Sequence, residues 1–326
     1  MIDRPHVRAA VDAARAASRA IAAVGDPASF SRGSVLDKGA AGPATVADIA
    51  SQLAAAGVLR SVLGDATRIM AEESLEEIDS LGGDALLARA AHAASAAGVA
   101  CSVAGAREIL SASADTGGSG TFWAIDPLDG TKGYLRGGQF AVAVALLEGG
   151  APVLGVLAAP RLGPAGSGCG DGVLAVADRR GAVQSPISRW DPFPLAERRW
   201  RSGGPVRLAG SVERGHSASD ALEARAAAAG PVHPVRVDSQ AKYLLVARGD
   251  ADAYLRVSPA PDYRECIWDH AAGAILAEAC GCRVTDSRGE PLDFGSGRRM
   301  SRARGVACAP HGLHEALLAA VAPLVG

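Results

Sequence analysis

The chain has 326 residues and a net charge of -2; 48% of the residues are hydrophobic, 21% charged and only 4% aromatic. This excludes a small stapled module and a disordered tail, and the length exceeds the size at which one hydrophobic core stops growing, so two lobes are expected. Balanced charge, the lack of an Arg-dense run and the scarcity of stacking aromatics argue against a nucleic-acid partner.

In chain order, apolar residues at helical spacing run from Val7 to Val24 and stop at Gly25-Asp26-Pro27, predicting an amphipathic helix. A loop at 39–43 leads through Thr45-Val46-Ala47-Asp48 into an Ala- and Leu-rich helix ending near Leu63. Residues 67–71 read as a short buried strand stopping at Glu72-Glu73, and residues 83–97 as a further helix. Strands are expected at 121–125 and 139–147 around a turn-rich loop at 126–138, then at 152–158, with a hairpin joining 172–177 to 182–184. The polar, Pro-containing stretch 185–205 is the best boundary. Beyond it, strands at 206–210, 232–237 and 252–257 alternate with helices at 219–229, 239–248 and 269–280, each helix closed by a Gly. The expected division is an α+β lobe over 1–203 and an α/β lobe over 204–326.

The N-terminus lacks a basic region followed by an apolar stretch, and no apolar run approaches the roughly 18 residues that span a bilayer. A cytoplasmic protein without a membrane partner is therefore expected; a monomer or weak dimer is expected as well. Six cysteines are too few for a disulfide framework, and Cys280-x-Cys282 has no second pair at zinc-site spacing, so buried free thiols are expected. Of the 33 basic residues only Lys38, Lys132 and Lys242 are lysine, leaving 30 Arg. In so Arg-skewed a chain, a lysine marks a place that favours a compact point charge over a guanidinium fork.

The informative segment is Trp123-Ala124-Ile125-Asp126-Pro127-Leu128-Asp129-Gly130-Thr131-Lys132-Gly133, in which a buried strand delivers two carboxylates into a Gly-containing turn. Hard divalent cations take such oxygens, and Mg²⁺ in particular is held by a few carboxylates with water and substrate phosphate. Taken singly, each acidic site has a plainer reading. Asp126 and Asp129 serve as turn residues, Glu72-Glu73 as a solvated turn, and Asp269 as a helix N-cap. Together they supply the parts of one cluster.

Four segments in order, Thr45-Val46-Ala47-Asp48, Ala71-Glu72-Glu73-Ser74, Asp126-Pro127-Leu128-Asp129-Gly130-Thr131 and Trp268-Asp269-His270-Ala271-Ala272-Gly273, resemble the lithium-sensitive, Mg²⁺-dependent phosphatase superfamily that contains inositol monophosphatase. The blocks 132–142, 212–217, 238–243 and 254–256 look like its 3′(2′),5′-bisphosphate nucleotidase branch. The resemblance implies a layered α/β/α/β/α sandwich of the inositol monophosphatase and fructose-1,6-bisphosphatase type. It implies release of the 3′-phosphate of 3′-phosphoadenosine 5′-phosphate (PAP), with the 5′-phosphosulfate (PAPS) as a second substrate, and two or three Mg²⁺ ions. The same-fold alternatives are an inositol monophosphatase and an inositol polyphosphate 1-phosphatase.

Carried over residue by residue, Glu72, Asp126 and the Leu128 carbonyl hold one metal. Asp126, Asp129 and Asp269 hold the second, and Glu72 lies near a weaker third. Asp48 and Thr131 orient and deprotonate water, and the N–H groups of Gly130 and Thr131 cradle phosphate. Ser239 and Lys242 contact the nucleotide, and His216 and Arg256 line its pocket. On residue type alone, His216 reads equally as a surface or helix-capping group and Ser239 as an N-cap of its own helix, and Arg256 has the plainer alternative of a solvated strand residue. Tyr263 and Glu265 lie close to Asp269 without an assigned role.

Overall fold

The computed structural model describes residues 4–29, 35–37, 43–163, 170–201, 203–212, 217–258 and 262–324. Helices α1 (Pro5–Val24) and α2 (Val46–Leu63) pack side by side through alanines and form the first layer with α3 (Leu75–Leu81), α4 (Gly83–Ala96) and α5 (Val103–Ala112). A short antiparallel pair, β1 (Val35–Asp37) and β2 (Pro43–Thr45), leads into α2. α2 has the length and apolar composition of a membrane span, contrary to the sequence expectation. It is instead a core helix, with Ile49, Leu53 and Leu59 fully enclosed by protein.

The second layer is a seven-stranded sheet in the order β3 (Ile69–Ala71), β4 (Thr121–Asp129), β5 (Ala141–Glu148), β6 (Ala151–Ala159), β7 (Val173–Asp178), β8 (Gly181–Pro186) and β9 (Phe193–Pro194). Among the described residues of this sheet only the β3–β4 pair is parallel. The fourth layer has five strands, ordered β11 (Val232–Arg236), β10 (Val206–Gly210), β12 (Ala253–Arg256), β14 (Val306–Pro310) and β13 (Cys282–Thr285). Here β11, β10 and β12 are mutually parallel.

Between the sheets lie α8 (Ala241–Arg248) and α9 (Ala271–Ala279); α7 (Ser217–Ala226) and α10 (His311–Val321) cover the far side. α9 sits directly on the first sheet because Gly155 has no side chain: a Cβ there would lie 2.5 Å from Ile275. This is the layered sandwich the sequence implied. The helices at 103–112 and 311–321 and the strand at 306–310 are additional to the sequence reading. α8 starts at Ala241 rather than at 239 because Ser239 has φ +70°, outside helical space. α9 likewise starts at Ala271, two residues beyond Asp269.

Candidate active site

Open α/β sheets present ligand-binding groups at the carboxyl ends of parallel strands, and in this chain the ends of both sheets converge. Glu72 follows β3, and Asp126, Leu128 and Asp129 lie at the end of β4. Ser211 follows β10, Asp238 lies two residues past β11, and Arg256 closes β12. All seven line one cavity of about 380 Å³, together with Gly130, Thr131, Lys132, Arg136, Ser239, Lys242 and Asp269. His216 and Lys38 lie outside the described residues.

Two residues three apart on a regular strand face opposite sides of the sheet. Asp126 pairs with Ala143 and Asp129 with Ala141, so three steps on β4 oppose two on β5. This bulge inserts the extra residue that brings both carboxylates to the cavity. Residues 126–129 are thus the irregular end of a strand rather than the start of a loop, and the chain then enters a single helical turn, α6 (Thr131–Leu135). Gly130 makes the corner at φ +87°, and a Cβ there would meet Ser239 at 3.1 Å. The second sheet's connections therefore close tightly over the first sheet's acidic edge.

Asp48 does not line the cavity and is only 1% exposed. Its Oδ2 accepts from the backbone N–H of Thr45 at 2.7 Å and from the Thr45 hydroxyl at 2.6 Å, a capping box at the start of α2. Oδ1 remains for the hydroxyl of Thr131 at 3.0 Å. Across the cavity, Lys242 Nζ donates to the Ser239 carbonyl at 3.1 Å and lies over the Tyr254 ring. Burial pulls its pKa down to about 8, partly offset by Asp129.

Burial, and then the charges of Glu72, Asp129, Asp269 and Asp48, hold the Asp126 carboxyl well above the usual carboxylate range. Burial raises Asp129 against the opposing pull of Lys242, and pushes Asp269 up to about 6. A converging set of hard oxygens that resist ionising together is what a divalent cation stabilises, so these residues fit a metal. Glu265, Asp269 and His270 form another close set, with donor atoms within 4.8 Å of one another. There Glu265 already faces Arg256 and His270 Nε2, each at 3.4 Å, and His270 Nδ1 meets the Tyr243 hydroxyl at 2.9 Å.

Residues 3–325 match the inositol monophosphatase family. The chain belongs to the inositol monophosphatase family. A 3′(2′),5′-bisphosphate nucleotidase of Emericella nidulans is 40% identical over 223 residues, covering 63% of this chain and 63% of the relative. One of Oryza sativa is 38% identical over 299 residues, covering 86% and 83%. The chain thus spans under two thirds of the fungal relative and most of the rice one. An IMPase of Thermotoga maritima superposes over 98% of both chains at TM-score 0.66 and 16% identity, which speaks to fold. Members of this family are metal-dependent, in keeping with the acidic cluster.

For an inositol monophosphatase-family chain, two supporting residues escaped the sequence reading. Arg298 donates to the Ala71 carbonyl at 2.8 Å and stacks 4.5 Å from the Trp268 ring centroid, bracing the residues just before Glu72 and Asp269. It sits in an irregular Gly/Ser-containing segment with no local signal. Arg136 pairs with Asp238 at 2.7 Å, joining α6 to the end of β11 across the cavity rim. The Asp238-Ser239-Gln240 block was the available clue to the second.

Proposed function

We propose that this chain is a Mg²⁺-dependent 3′(2′),5′-bisphosphate nucleotidase that hydrolyses PAP to AMP and phosphate and also accepts PAPS. The observation that carries the reading is the two-signed lining of one cavity. Glu72, Asp126, Asp129, Asp238 and Asp269 line it together with Lys132, Arg136, Lys242 and Arg256. A bisphosphate matches both: one phosphate at the carboxylate end through metal, the other balanced by cations. An inositol monophosphate offers no second phosphate to these cations, and the names of the fungal and rice relatives favour the same choice.

Glu72, Asp126 and the Leu128 carbonyl would hold one Mg²⁺, and Asp126, Asp129 and Asp269 a second, with a weaker third near Glu72. When bound, the ions neutralise phosphate charge and lower the pKa of water. The chain's own contribution is a proton path. Thr131 Oγ1 takes a proton from the attacking water as its own passes to Asp48 Oδ1, whose partner oxygen is fixed by Thr45. The N–H groups of Gly130 and Thr131 would cradle the phosphate; α6 is only one turn long, so the local N–H groups would matter more than the helix dipole. Ser239 and Lys242 would contact the nucleotide, with Arg256, and His216 by family likeness, around it.

A boundary at 203/204 is supported by the two sheets drawing on 69–194 and 206–310. A cytoplasmic setting is supported by five described cysteines that are free thiols. The test is phosphate release from PAP, PAPS, inositol 1-phosphate and inositol 1,4-bisphosphate, with Mg²⁺ and with chelator. Metal-dependent preference for the nucleotides is expected; equal turnover of inositol 1-phosphate overturns the substrate assignment.

A further inference from the structure

We propose that Gln240 is a positioning residue that sets the relation between Asp129 and Asp269 and so governs one of the two metal sites; the inference rests on the reading above. Gln240 is 3% exposed, and its N–H and side chain make three bonds that reach two other segments, the end of β4 and residues 268–273. Its backbone N–H donates to Asp129 Oδ2 at 2.5 Å. Its side-chain Nε2 donates to the Trp268 carbonyl at 2.8 Å, on the residue immediately before Asp269. Its Oε1 accepts from the Gly273 N–H at 3.2 Å.

That last N–H belongs to the first turn of α9, where a helix has donors with no partner of its own. One amide thus clamps the backbone on both flanks of Asp269, while the same residue's main chain holds Asp129. The bonds of its N–H and side chain go to Asp129 itself and to the backbone on either side of Asp269. Its hold therefore falls on the pair that the family likeness assigns to the second metal.

The arrangement depends on the turn at Ser239, whose φ of +70° is uncommon for a residue with a side chain. This turn aims the Gln240 N–H at Asp129 and leaves the Ser239 carbonyl to receive Lys242 Nζ. The segment proposed to touch the nucleotide is therefore the segment that holds two of the acidic ligands. Neither glutamate nor methionine can replace the side chain: glutamate lacks the donor for Trp268 and adds charge beside a carboxylate cluster, and methionine lacks both bonds at nearly equal volume.

The test is a calorimetric titration of substrate-free protein with Mn²⁺ and with Mg²⁺, for wild type, Gln240→Ala and Gln240→Met. Melting curves in chelator accompany it, and the methionine variant preserves volume and the backbone bond. One of two binding steps is expected to weaken by about tenfold or more, the usual effect of removing a partner that orients a metal ligand, while the other stays within about twofold. Parallel weakening of both steps, as general loosening would produce, overturns the inference. So does unchanged binding in both variants while wild type takes up two ions. Wild-type protein that binds no divalent ion overturns the metal-dependent reading itself, and this inference with it.

Discussion

Thr131 and Asp48 are 83 residues apart in sequence and joined by a 3.0 Å hydrogen bond. The Thr131 hydroxyl also lies 3.2 Å from the Leu128 carbonyl, yet it carries one proton, and a carboxylate is the stronger acceptor. Thr131 therefore presents its lone pairs to the cavity.

Thr131→Val and Asp48→Asn are each expected to lower kcat by about 10²- to 10³-fold, the range of a lost proton-transfer group. Because the two act as a unit, the double variant should be little worse than the poorer single one. Steady-state kinetics on PAP check this, with Thr131→Ser retaining most turnover. A valine variant near wild-type kcat would remove Thr131 from the chemistry.

The acidic cluster makes the pH dependence of stability opposite with and without metal. In chelator, Asp269, pushed up to about 6 by burial, keeps a proton that the unfolded chain has already released at its ordinary carboxylate pKa. The native state then binds more protons, so stability falls as pH rises from about 4 through about 6. Asp126 adds in the same direction. With saturating Mg²⁺ the cation displaces those protons, and stability should fall as pH drops below about 6. His314, pulled down to about 4 by burial, titrates in the opposite sense to these carboxyls, with metal and without it. The readout is therefore the change: the melting-temperature difference between pH 5 and 7.5 should move by a few degrees on adding Mg²⁺, toward greater relative stability at pH 7.5. Asp269→Asn should flatten the slope in chelator; an unaltered slope contradicts the assignment.

Gly273→Ala tests the packing beneath the site. Alanine ordinarily favours a helix over glycine by up to about 1 kcal/mol. Here its Cβ would lie 2.2 Å from the Tyr243 ring, whose hydroxyl is tied to His270 and whose edge meets Tyr254 with centroids 5.0 Å apart. The ring has nowhere to move, so a loss of about 3 kcal/mol is expected, read from denaturant unfolding. A neutral or stabilised variant would show that α8 and α9 separate readily.

The acidic segments were legible because each is local: a short run in which a strand or helix boundary meets a carboxylate, as at Ala71-Glu72 and Ile125-Asp126. The Thr45–Asp48 segment was legible as the entry to α2 for the same reason, and the structure adds the capping box that its two ends form. The β4 bulge was not legible, since a two-residue period gives no account of an extra residue until the partner strand is known. Arg298 and Ala71 lie 227 positions apart, and nothing in the segment around Arg298 names its partner. Lys132 and Lys242, singled out by composition alone, both line the cavity.

The middle layer has a consequence for how the chain holds together. Leu157 and Ala175 from the first sheet, Tyr243 and Leu276 from α8 and α9, and Tyr254 and Val306 from the second sheet belong to one continuous buried cluster. Each half completes the interior of the other, and a fragment cut between the sheets would expose an apolar face instead of a finished surface. Unfolding should then be all-or-none across the boundary, with no hinge to absorb strain. An ion seated between Asp126 and Asp269 would act as a rivet through both halves, so its occupancy would be felt in the melting of the entire molecule.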